Sequence, residues 1–202
     1  MEQVIIIGAG GFGREVAWIA GLCGIEVVGF SDDSPDKAVG EYAGRPLLGA
    51  LRDVLLRFPA GTRFHVAIGR NAARRAVTGQ ARAAGWRPLT IVAPSAVVAP
   101  SAVLGEGCFV GANSVVSVGG VLGEGVIVNH LASVGHDVKI GDFAQVCPCV
   151  GISGGCVIGS EALLGTNASV IPLKRIGARA TLGAGAVAIR DVADGESLVR
   201  LR

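Results

Sequence analysis

Two histidines and an aspartate lie within one eight-residue segment of the chain. His130 and His136 are six residues apart, and Asp137 follows His136 directly. A histidine with a carboxylate beside it can act as a general base, because the carboxylate fixes the imidazole tautomer and supports the imidazolium. An ordinary surface position is the alternative, and the residues alone balance the two interpretations evenly. The third histidine, His65, lies inside a predicted strand and is expected to pack in the core.

A glycine-rich segment near the N-terminus has the spacing of a phosphate-binding turn. Gly8, Gly10 and Gly13 form the pattern G-x-G-x-x-G between an apolar run and a helical pattern. Backbone N–H groups at such a helix start attract a phosphate, whereas a merely tight turn is the alternative. Asp32, followed by Asp33, ends the second predicted strand, where an acidic side chain can meet a ribose hydroxyl or a base.

A third polar segment is expected at the same edge of the sheet. Arg70 and Asn71 follow the third predicted strand and could close over a bound nucleotide, although an ordinary loop is equally favoured. A dinucleotide cofactor is less favoured, because its fold needs two mononucleotide-binding halves and the α/β pattern ends after about 90 residues. A nucleotide-linked substrate fits this length better.

The five cysteines do not indicate a metal site. Their number is odd, no pair has zinc-finger spacing, and Cys147 and Cys149 are too close together for half of a usual zinc site. Small apolar filler residues in a reducing compartment are the expected role. An acylated Cys147 or Cys149 is the alternative and predicts ping-pong kinetics.

The chain changes its pattern near residue 90. Before it, strands alternate with helices, which predicts a parallel sheet with right-handed crossovers and hence a Rossmann-like domain over residues 1–90. The arginines of the third helix are expected to face water. The predicted elements are strands at 4–7, 26–30 and 64–68, helices at 14–23, 51–58 and 72–84, and an extended segment at 89–92.

Beyond residue 90 the sequence has a period of six. Sixteen positions spaced six apart, from Val92 to Leu182, are all Val, Ile or Leu. Glycine often follows them, and it is expected to relieve crowding of the backbone at the turn. This period predicts a left-handed parallel β-helix over residues 91–202, in which three six-residue repeats form one triangular coil and the aliphatic side chains stack inside. Lys174 occupies a position that is otherwise small, so we expect the last coil to distort there or Lys174 to reach an edge.

Composition excludes two classes of partner. The net charge is +2 and Lys and Arg do not cluster, so a nucleic-acid partner is not expected. The apolar runs are shorter than the roughly 20 residues of a membrane span. The N-terminus has no basic region or cleavage site of a secretory signal, so a cytoplasmic location is expected.

The ordered motifs resemble the bacterial left-handed β-helix sugar acetyltransferases, which act on nucleotide-linked 4-amino sugars or on sialic acid. The likeness spans nearly the whole chain. It rests on the GAxGxG turn, the Asp32-Asp33 pair, the segment Ile68-Gly69-Arg70-Asn71, and above all on residues 129–143, NHLASVGHDVKIGDF.

The resemblance implies roles for particular residues. His136 matches the family's catalytic base, Asp137 the acid that orients it, and Gly154 a glycine whose N–H meets the oxyanion. The expected nucleotide-sugar contacts are Gly8, Gly10, Gly13, Asp32, Asp33, Arg70, Asn71 and Asn129, with His130 as a further candidate at a position that is often Thr. The expected contacts to CoA are Gln145, at a position where some relatives have histidine, and Gly165, Gly183 and Gly185.

The resemblance also implies the reaction and the assembly. Acetyl-CoA is the expected co-substrate, no metal is expected, and the acetyl group is expected to pass directly to a sugar within a homotrimer. The 4-amino group of a nucleotide-linked sugar is favoured. O-acetylation of sialic acid and non-catalytic nucleotide-sugar binding remain alternatives. The tail lacks the family's G-x-P-A segment, which bears on the contacts to CoA.

Overall fold

The structure is a computed structural model that describes residues 2–34 and 40–199. The chain divides into two compact units, residues 1–91 and 92–202, and each is described by itself. Among the described residues, no helix is long and apolar enough to cross a membrane.

The first unit contains a sheet flanked in sequence by helices, and the ends of these elements differ from the predicted ones by at most three residues. In the described residues the sheet has the strand order β3-β4-β2-β1-β5-β6. All neighbouring strands are parallel except β3 and β4. The elements are β1 (Gln3–Ile7), α1 (Gly11–Leu22), β2 (Glu26–Ser31), β3 (Gly40–Tyr42), β4 (Arg45–Gly49), α2 (Leu51–Arg57), β5 (Arg63–Val66), α3 (Asn71–Ala83) and β6 (Arg87–Pro88).

The β3–β4 hairpin was not predicted from the sequence. Its two-residue loop, Ala43 and Gly44, has φ angles of 51° and 72°, the left-handed pair that a tight hairpin turn requires. Tyr42 packs edge-on against Phe30, with ring centroids 5.4 Å apart. A three-residue edge strand carries too few residues for a clear alternation, so its signal in the sequence is weak.

Helix α3 corrects one expectation. Its arginines were expected to face water, but Arg74 is buried, with 1% of its surface exposed. The guanidinium donates hydrogen bonds to the carbonyl oxygens of Ile68 and Gly69, at 2.9 and 3.3 Å. Arg75, its neighbour, is exposed as expected. Burial of Arg74 is possible because the preceding loop supplies acceptors for the charged group.

The second unit is a stack of two-residue parallel strands, called here the prism. Within the described residues its strands form three sheets of seven, six and five strands, and the boundary between the units falls within β7. The strands are β7 (Ile91–Val92), β8 (Val97–Val98), β9 (Val103–Leu104), β10 (Phe109–Val110), β11 (Val115–Val116), β12 (Val121–Leu122), β13 (Ile127–Val128), β14 (Ser133–Val134), β15 (Lys139–Ile140), β16 (Gln145–Val146), β17 (Gly151–Ile152), β18 (Val157–Ile158), β19 (Leu163–Leu164), β20 (Ser169–Val170), β21 (Arg175–Ile176), β22 (Thr181–Leu182), β23 (Val187–Ala188) and β24 (Ser197–Leu198).

The aliphatic positions predicted from the six-residue period form the core of the prism. Each is the second residue of a strand, and each pairs with its equivalent eighteen residues away, as Val128 pairs with Val146. All are buried from Val110 to Leu182, whereas Val92, Val98 and Leu104 are partly buried against the same core. The triangular stacking expected from the sequence is therefore present.

The glycines that follow these aliphatic residues have a different cause from the one expected. They were expected to relieve crowding at a turn, but the left-handed φ angles fall two residues later, as at Asn113 and Asp137, both with φ 57°. At Gly159 a Cβ atom would lie 2.6 Å from the Gly177 carbonyl carbon in the next coil. Close approach between stacked coils therefore requires these glycines.

The last coil is two residues short, and Lys174 is not the reason. Ile176 bridges to Val192, sixteen residues on, and Leu182 pairs with Leu198 at the same interval instead of eighteen. At Lys174 the coil is regular: its carbonyl accepts the Val157 N–H at 2.9 Å, and its side chain is half-buried. The expected distortion lies after the Lys174 coil and not within it.

Replacement of Gly159 by Ala should destabilise the prism by about 1–3 kcal/mol, because the added methyl group would press on backbone that cannot rotate away. As a control, Gly79→Ala in helix α3, where a Cβ atom would meet nothing within 4 Å, should be neutral or stabilising by up to about 1 kcal/mol. Denaturant unfolding of both variants measures the two changes, and equal stabilities would contradict this account of the glycines.

Candidate functional site

The His136–Asp137 pair lies at one corner of the prism, after β14. The Nδ1 atom of His136 and the Oδ2 atom of Asp137 are 2.9 Å apart. Asp137 has the left-handed φ that most corners use at this position, and a short polar side chain tolerates it well. Both side chains are largely exposed, at 65% and 71%. The carboxylate thus holds Nδ1–H and leaves Nε2 as the nitrogen that can accept a proton.

Two glycines in adjacent coils make room for this pair. Gly119 lies one coil earlier, and a Cβ atom there would be 2.5 Å from Oδ1 of Asp137. Gly154 lies one coil later, and a Cβ atom there would collide with Nε2 of His136 and lie 2.5 Å from its Cε1. Any side chain at either position would therefore displace one member of the pair.

The backbone N–H of Gly154 is free to bind a ligand, since it donates to no group among the residues that the structure describes. At two equivalent positions of the prism, the N–H donates to the side chain that lies one coil later. The Glu124 N–H donates to the Asp142 carboxylate and the Ala112 N–H donates to Nδ1 of His130, both at 2.9 Å. One coil after Gly154 the chain has Pro172, whose side chain has no hydrogen-bond acceptor.

His130 occupies the preceding corner and serves the structure there. Its Nδ1 accepts the Ala112 N–H, and its ring lies edge-on to Phe109 at 6.1 Å between centroids. The Asn129 side-chain oxygen accepts the His130 N–H at 2.8 Å. The structure thus brings His136, Asp137 and Gly154 together and holds Asn129 and His130 at a different corner.

Gln145 lies on strand β16 and Cys147 directly follows this strand, and their side chains are in contact. Burial raises the pKa of the Cys147 thiol, and its hydrogen bond with Gln145 only partly offsets this. A thiol with a raised pKa stays protonated at neutral pH and is a weak nucleophile. This environment disfavours Cys147 as an acylated residue.

The three glycines expected near CoA differ in their surroundings. A Cβ atom at Gly165 would lie 2.7 Å from the Ala184 nitrogen, and one at Gly183 would lie 3.2 Å from Val199. Gly185 has φ 68°, faces open space and lines a depression of about 390 Å³ with Leu198 and Val199. Of the three glycines, only Gly185 has open space where a Cβ atom would lie. Residues 200–202 of the atypical tail lie outside the described residues.

The glycine turn of the first unit combines packing with an open approach. Gly8 has φ 109°, and a Cβ atom there would lie 2.7 Å from the Ala67 carbonyl oxygen. At Gly13 a Cβ atom would collide with the Gly8 carbonyl oxygen. At Gly10, directly before α1, a Cβ atom would meet nothing within 4 Å. Gly8 and Gly13 are therefore needed for packing, and Gly10 leaves the helix start accessible.

Asp32 and Asp33 both hold backbone. The Asp32 carboxylate accepts the N–H groups of Ala9, at 2.6 Å, and of Ser34, at 2.9 Å. Asp33 accepts the Leu51 N–H at 2.8 Å, at the first residue of α2, whose own N-cap residue provides no side-chain acceptor. These bonds brace the glycine turn and α2, a role that the sequence did not indicate.

A cavity of about 400 Å³ opens at this edge of the sheet. It lies at the carboxyl ends of β1, β2 and β5, where the strand order changes direction, a common place for ligands in α/β sheets. Its lining includes Gly8, Asp32, Asp33 and Ile68. Arg70 is exposed nearby in sequence, and the Asn71 side-chain oxygen accepts a bond from Arg74 at 3.0 Å.

A larger crevice, of about 690 Å³, lies at the opposite, amino edge of the sheet. We favour the smaller cavity as the substrate site, because the accessible start of helix α1 follows β1 at the carboxyl edge of the sheet.

His65 is buried in β5, with its Nδ1 2.9 Å from the Leu89 carbonyl oxygen, and burial lowers its pKa to about 4. In the described part of the chain, no group of three His, Cys, Asp or Glu side chains could hold a metal ion.

Three contributors to these sites were not predicted: Gly119, Pro172 and Arg74. Gly119 and Asp137 are one coil apart, as are Gly154 and Pro172, so the eighteen-residue interval was the available signal for both. Arg74 gave no signal, because a helical arginine is exposed far more often than it is buried.

Known proteins resemble this chain in both of its units. Residues 3–81 match the PglD N-terminal domain, and no curated protein sequence matches the chain significantly. A mutant of perosamine N-acetyltransferase from Caulobacter crescentus, in complex with CoA and GDP-perosamine, is 32% identical, with a TM-score of 0.93 over 99% of this chain and 94% of that chain.

A second solved structure is similarly close. The acetyltransferase domain of PglB from Neisseria gonorrhoeae FA1090, in complex with acetyl coenzyme A, is 35% identical, with a TM-score of 0.91 over 98% of this chain and 96% of that one. WeeI from Acinetobacter baumannii AYE, at 22% identity and a TM-score of 0.87, shares the fold. The predicted fold class, a Rossmann-like α/β unit followed by a left-handed parallel β-helix, is thereby confirmed. The chain belongs to the PglD-type family of sugar acetyltransferases built on hexapeptide repeats.

Proposed function

We propose that this protein transfers the acetyl group of acetyl-CoA to the 4-amino group of a nucleotide-linked amino sugar. The observation that carries the proposal is the His136–Asp137 pair, whose Nε2 remains available beside the unused N–H of Gly154. The relatives in complex with acetyl coenzyme A, or with CoA and GDP-perosamine, support this donor and this class of acceptor.

In the proposed reaction each group of the pair has one task. The sugar amine attacks the thioester carbonyl while Nε2 of His136 accepts its proton, and Asp137 supports the imidazolium. The Gly154 N–H donates to the oxyanion of the tetrahedral intermediate. As the C–S bond breaks, the leaving thiolate takes the proton back from the His136 imidazolium, and the amide remains on the sugar. No cysteine becomes acylated.

The two units would then divide the substrates. The 400 Å³ cavity would hold the nucleotide-linked sugar, with Gly10 open to a phosphate, Gly8 and Gly13 shaping the turn, and Asp32, Asp33, Arg70 and Asn71 around it. Asn129 and His130 would face the acceptor from the prism. Gln145, Gly165, Gly183 and Gly185 would lie along the pantetheine arm of acetyl-CoA, of which Gly185 has the most open surroundings.

We further propose that the protein is a cytoplasmic homotrimer acting in glycan biosynthesis. Exposed valines flank the corner that carries His136: Val118 on the corner itself, Val97 and Val115 on one face, and Val103 and Val121 on the other. A contiguous apolar surface of this kind marks a protein interface. Packing of identical prisms there would place His136 beside a neighbouring subunit, where the thioester could lie.

The catalytic assignment is tested by His136→Ala. Loss of the general base should lower kcat by about 10²–10⁴-fold, with the fold and oligomer retained. Thiol release from acetyl-CoA measures the rate, with 4-amino sugars linked to UDP, GDP or dTDP and with sialic acid as acceptors. Wild-type rates in the variant would exclude His136 as the base. Turnover of sialic acid alone, or binding of nucleotide sugars without turnover, would contradict the proposed reaction.

The room left by Gly119 is tested by a double-mutant cycle. Gly119→Ala should turn the Asp137 carboxylate away from His136 and lower kcat by about 10–100-fold, with little change in KM. Asp137→Asn should cost a similar factor, and the double variant should cost no more than either single one. Gly195→Ala is the matched control, because Gly195 also has a positive φ, of 70°, but faces open space. Additive losses would show that Gly119 acts independently of Asp137.

The assembly is tested by Val118→Glu. A charge forced into a buried apolar interface should convert the trimer into monomers, because its desolvation is not compensated. Leu56→Glu, at a side chain that is 88% exposed in the first unit, should leave the oligomer unchanged. Light scattering coupled to size-exclusion chromatography measures both masses. A Val118→Glu trimer would show that this surface is not the interface.

A further inference from the structure

The buried guanidinium of Arg74 occupies a position that is unfavourable for a positive charge. Arg74 is in the first turn of α3, which begins at Asn71, and only 1% of its surface is exposed. A cation near a helix N-terminus opposes the helix dipole, and its burial loses hydration. Helix stability alone therefore does not explain this side chain.

Three hydrogen bonds of the guanidinium go to one short segment of chain. Nη1 donates to the carbonyl oxygens of Ile68 and Gly69, and Nη2 donates to the side-chain oxygen of Asn71 at 3.0 Å. These acceptors lie in segment 68–71, which runs from the loop after β5 into the first residue of α3. The planar fork of arginine holds several acceptors in one fixed arrangement, which the single ammonium of lysine cannot reproduce.

These bonds set the direction of two peptide groups. Because the described peptide bonds are all trans, the N–H that follows each bound carbonyl points away from Arg74. The N–H groups of Gly69 and Arg70 are therefore turned away from the guanidinium, and within the described ranges they donate to no group. The Ile68 side chain of the same segment lines the 400 Å³ cavity.

We propose that Arg74 is a positioning residue for the nucleotide-linked substrate. It fixes segment 68–71 so that the Gly69 and Arg70 N–H groups and the Arg70 side chain meet the ligand's phosphates, without touching the ligand itself. Backbone N–H groups at a helix start are suited to phosphate. The inference rests on the proposed function, because it assumes that the nucleotide-linked substrate occupies the carboxyl edge of the sheet.

The test compares Arg74→Met with Arg74→Lys. For the nucleotide sugar that the wild type acetylates fastest, Arg74→Met should raise KM about 10–100-fold, since the segment loses its charged hydrogen bonds. KM for acetyl-CoA and kcat should stay within about twofold, since the prism is unchanged. Arg74→Lys should recover part of the loss. Arg75→Met, at the exposed neighbour, is the matched control and should behave like the wild type. Calorimetric titration with GDP, UDP and dTDP should show the same order of affinities.

The outcomes separate this inference from the function on which it rests. If the wild type acetylates a nucleotide sugar and Arg74→Met keeps its KM, the positioning role is wrong and the proposed function stands. If the wild type acetylates none, the proposed function fails first. Equal losses in kcat and in KM for both substrates, or failure of both Arg74 variants to fold, would also overturn the inference, because Arg74 would then serve only general stability.

Discussion

Successive coils of the prism stack at the spacing of neighbouring β-strands, about 4.8 Å, and this distance decides which side chains fit where. Inside, it brings each aliphatic residue onto its equivalent eighteen residues away, so that one column supports the next. At the corners, it brings backbone so close to backbone that Gly105, Gly123, Gly141 and Gly159 leave no room for a Cβ atom. This spacing therefore explains why aliphatic residues and glycines recur at fixed positions of the repeat.

The candidate chemistry arises where the same distance is used differently. His130 and His136 occupy equivalent places at adjacent corners, yet His130 turns its Nδ1 to the backbone of the preceding coil and His136 turns its Nδ1 to Asp137. The absence of side chains at Gly119 and Gly154, one coil before and one coil after, gives Asp137 and His136 their room. A local exception to the regular packing thus creates the corner at which the candidate base lies.

Much of this could be predicted from the sequence, and what could not has physical causes. A period of six repeated over sixteen positions leaves one architecture, and a glycine turn between strand and helix fixes the edge at which a phosphate could bind. The burial of Arg74 could not be predicted, because it depends on where the carbonyl groups of the preceding loop point. The backbone bonds of Asp32 and Asp33 were missed for the same reason: a carboxylate that braces a turn and one that awaits a ligand look alike in a sequence.

The two-residue shortening of the final coil has a consequence for solubility. Every sheet of the prism ends in a strand whose outer backbone groups could template another chain, the hazard that stacked β-structures share. Beyond Ile176 and Leu182 the interval falls from eighteen residues to sixteen, and β24 is the last strand of its sheet in the described residues. A second molecule arriving at this end would find its hydrogen-bonding groups offset from its own eighteen-residue pattern. The irregular coil therefore interrupts, at this end of the prism, the regular register that end-to-end stacking of prisms would need.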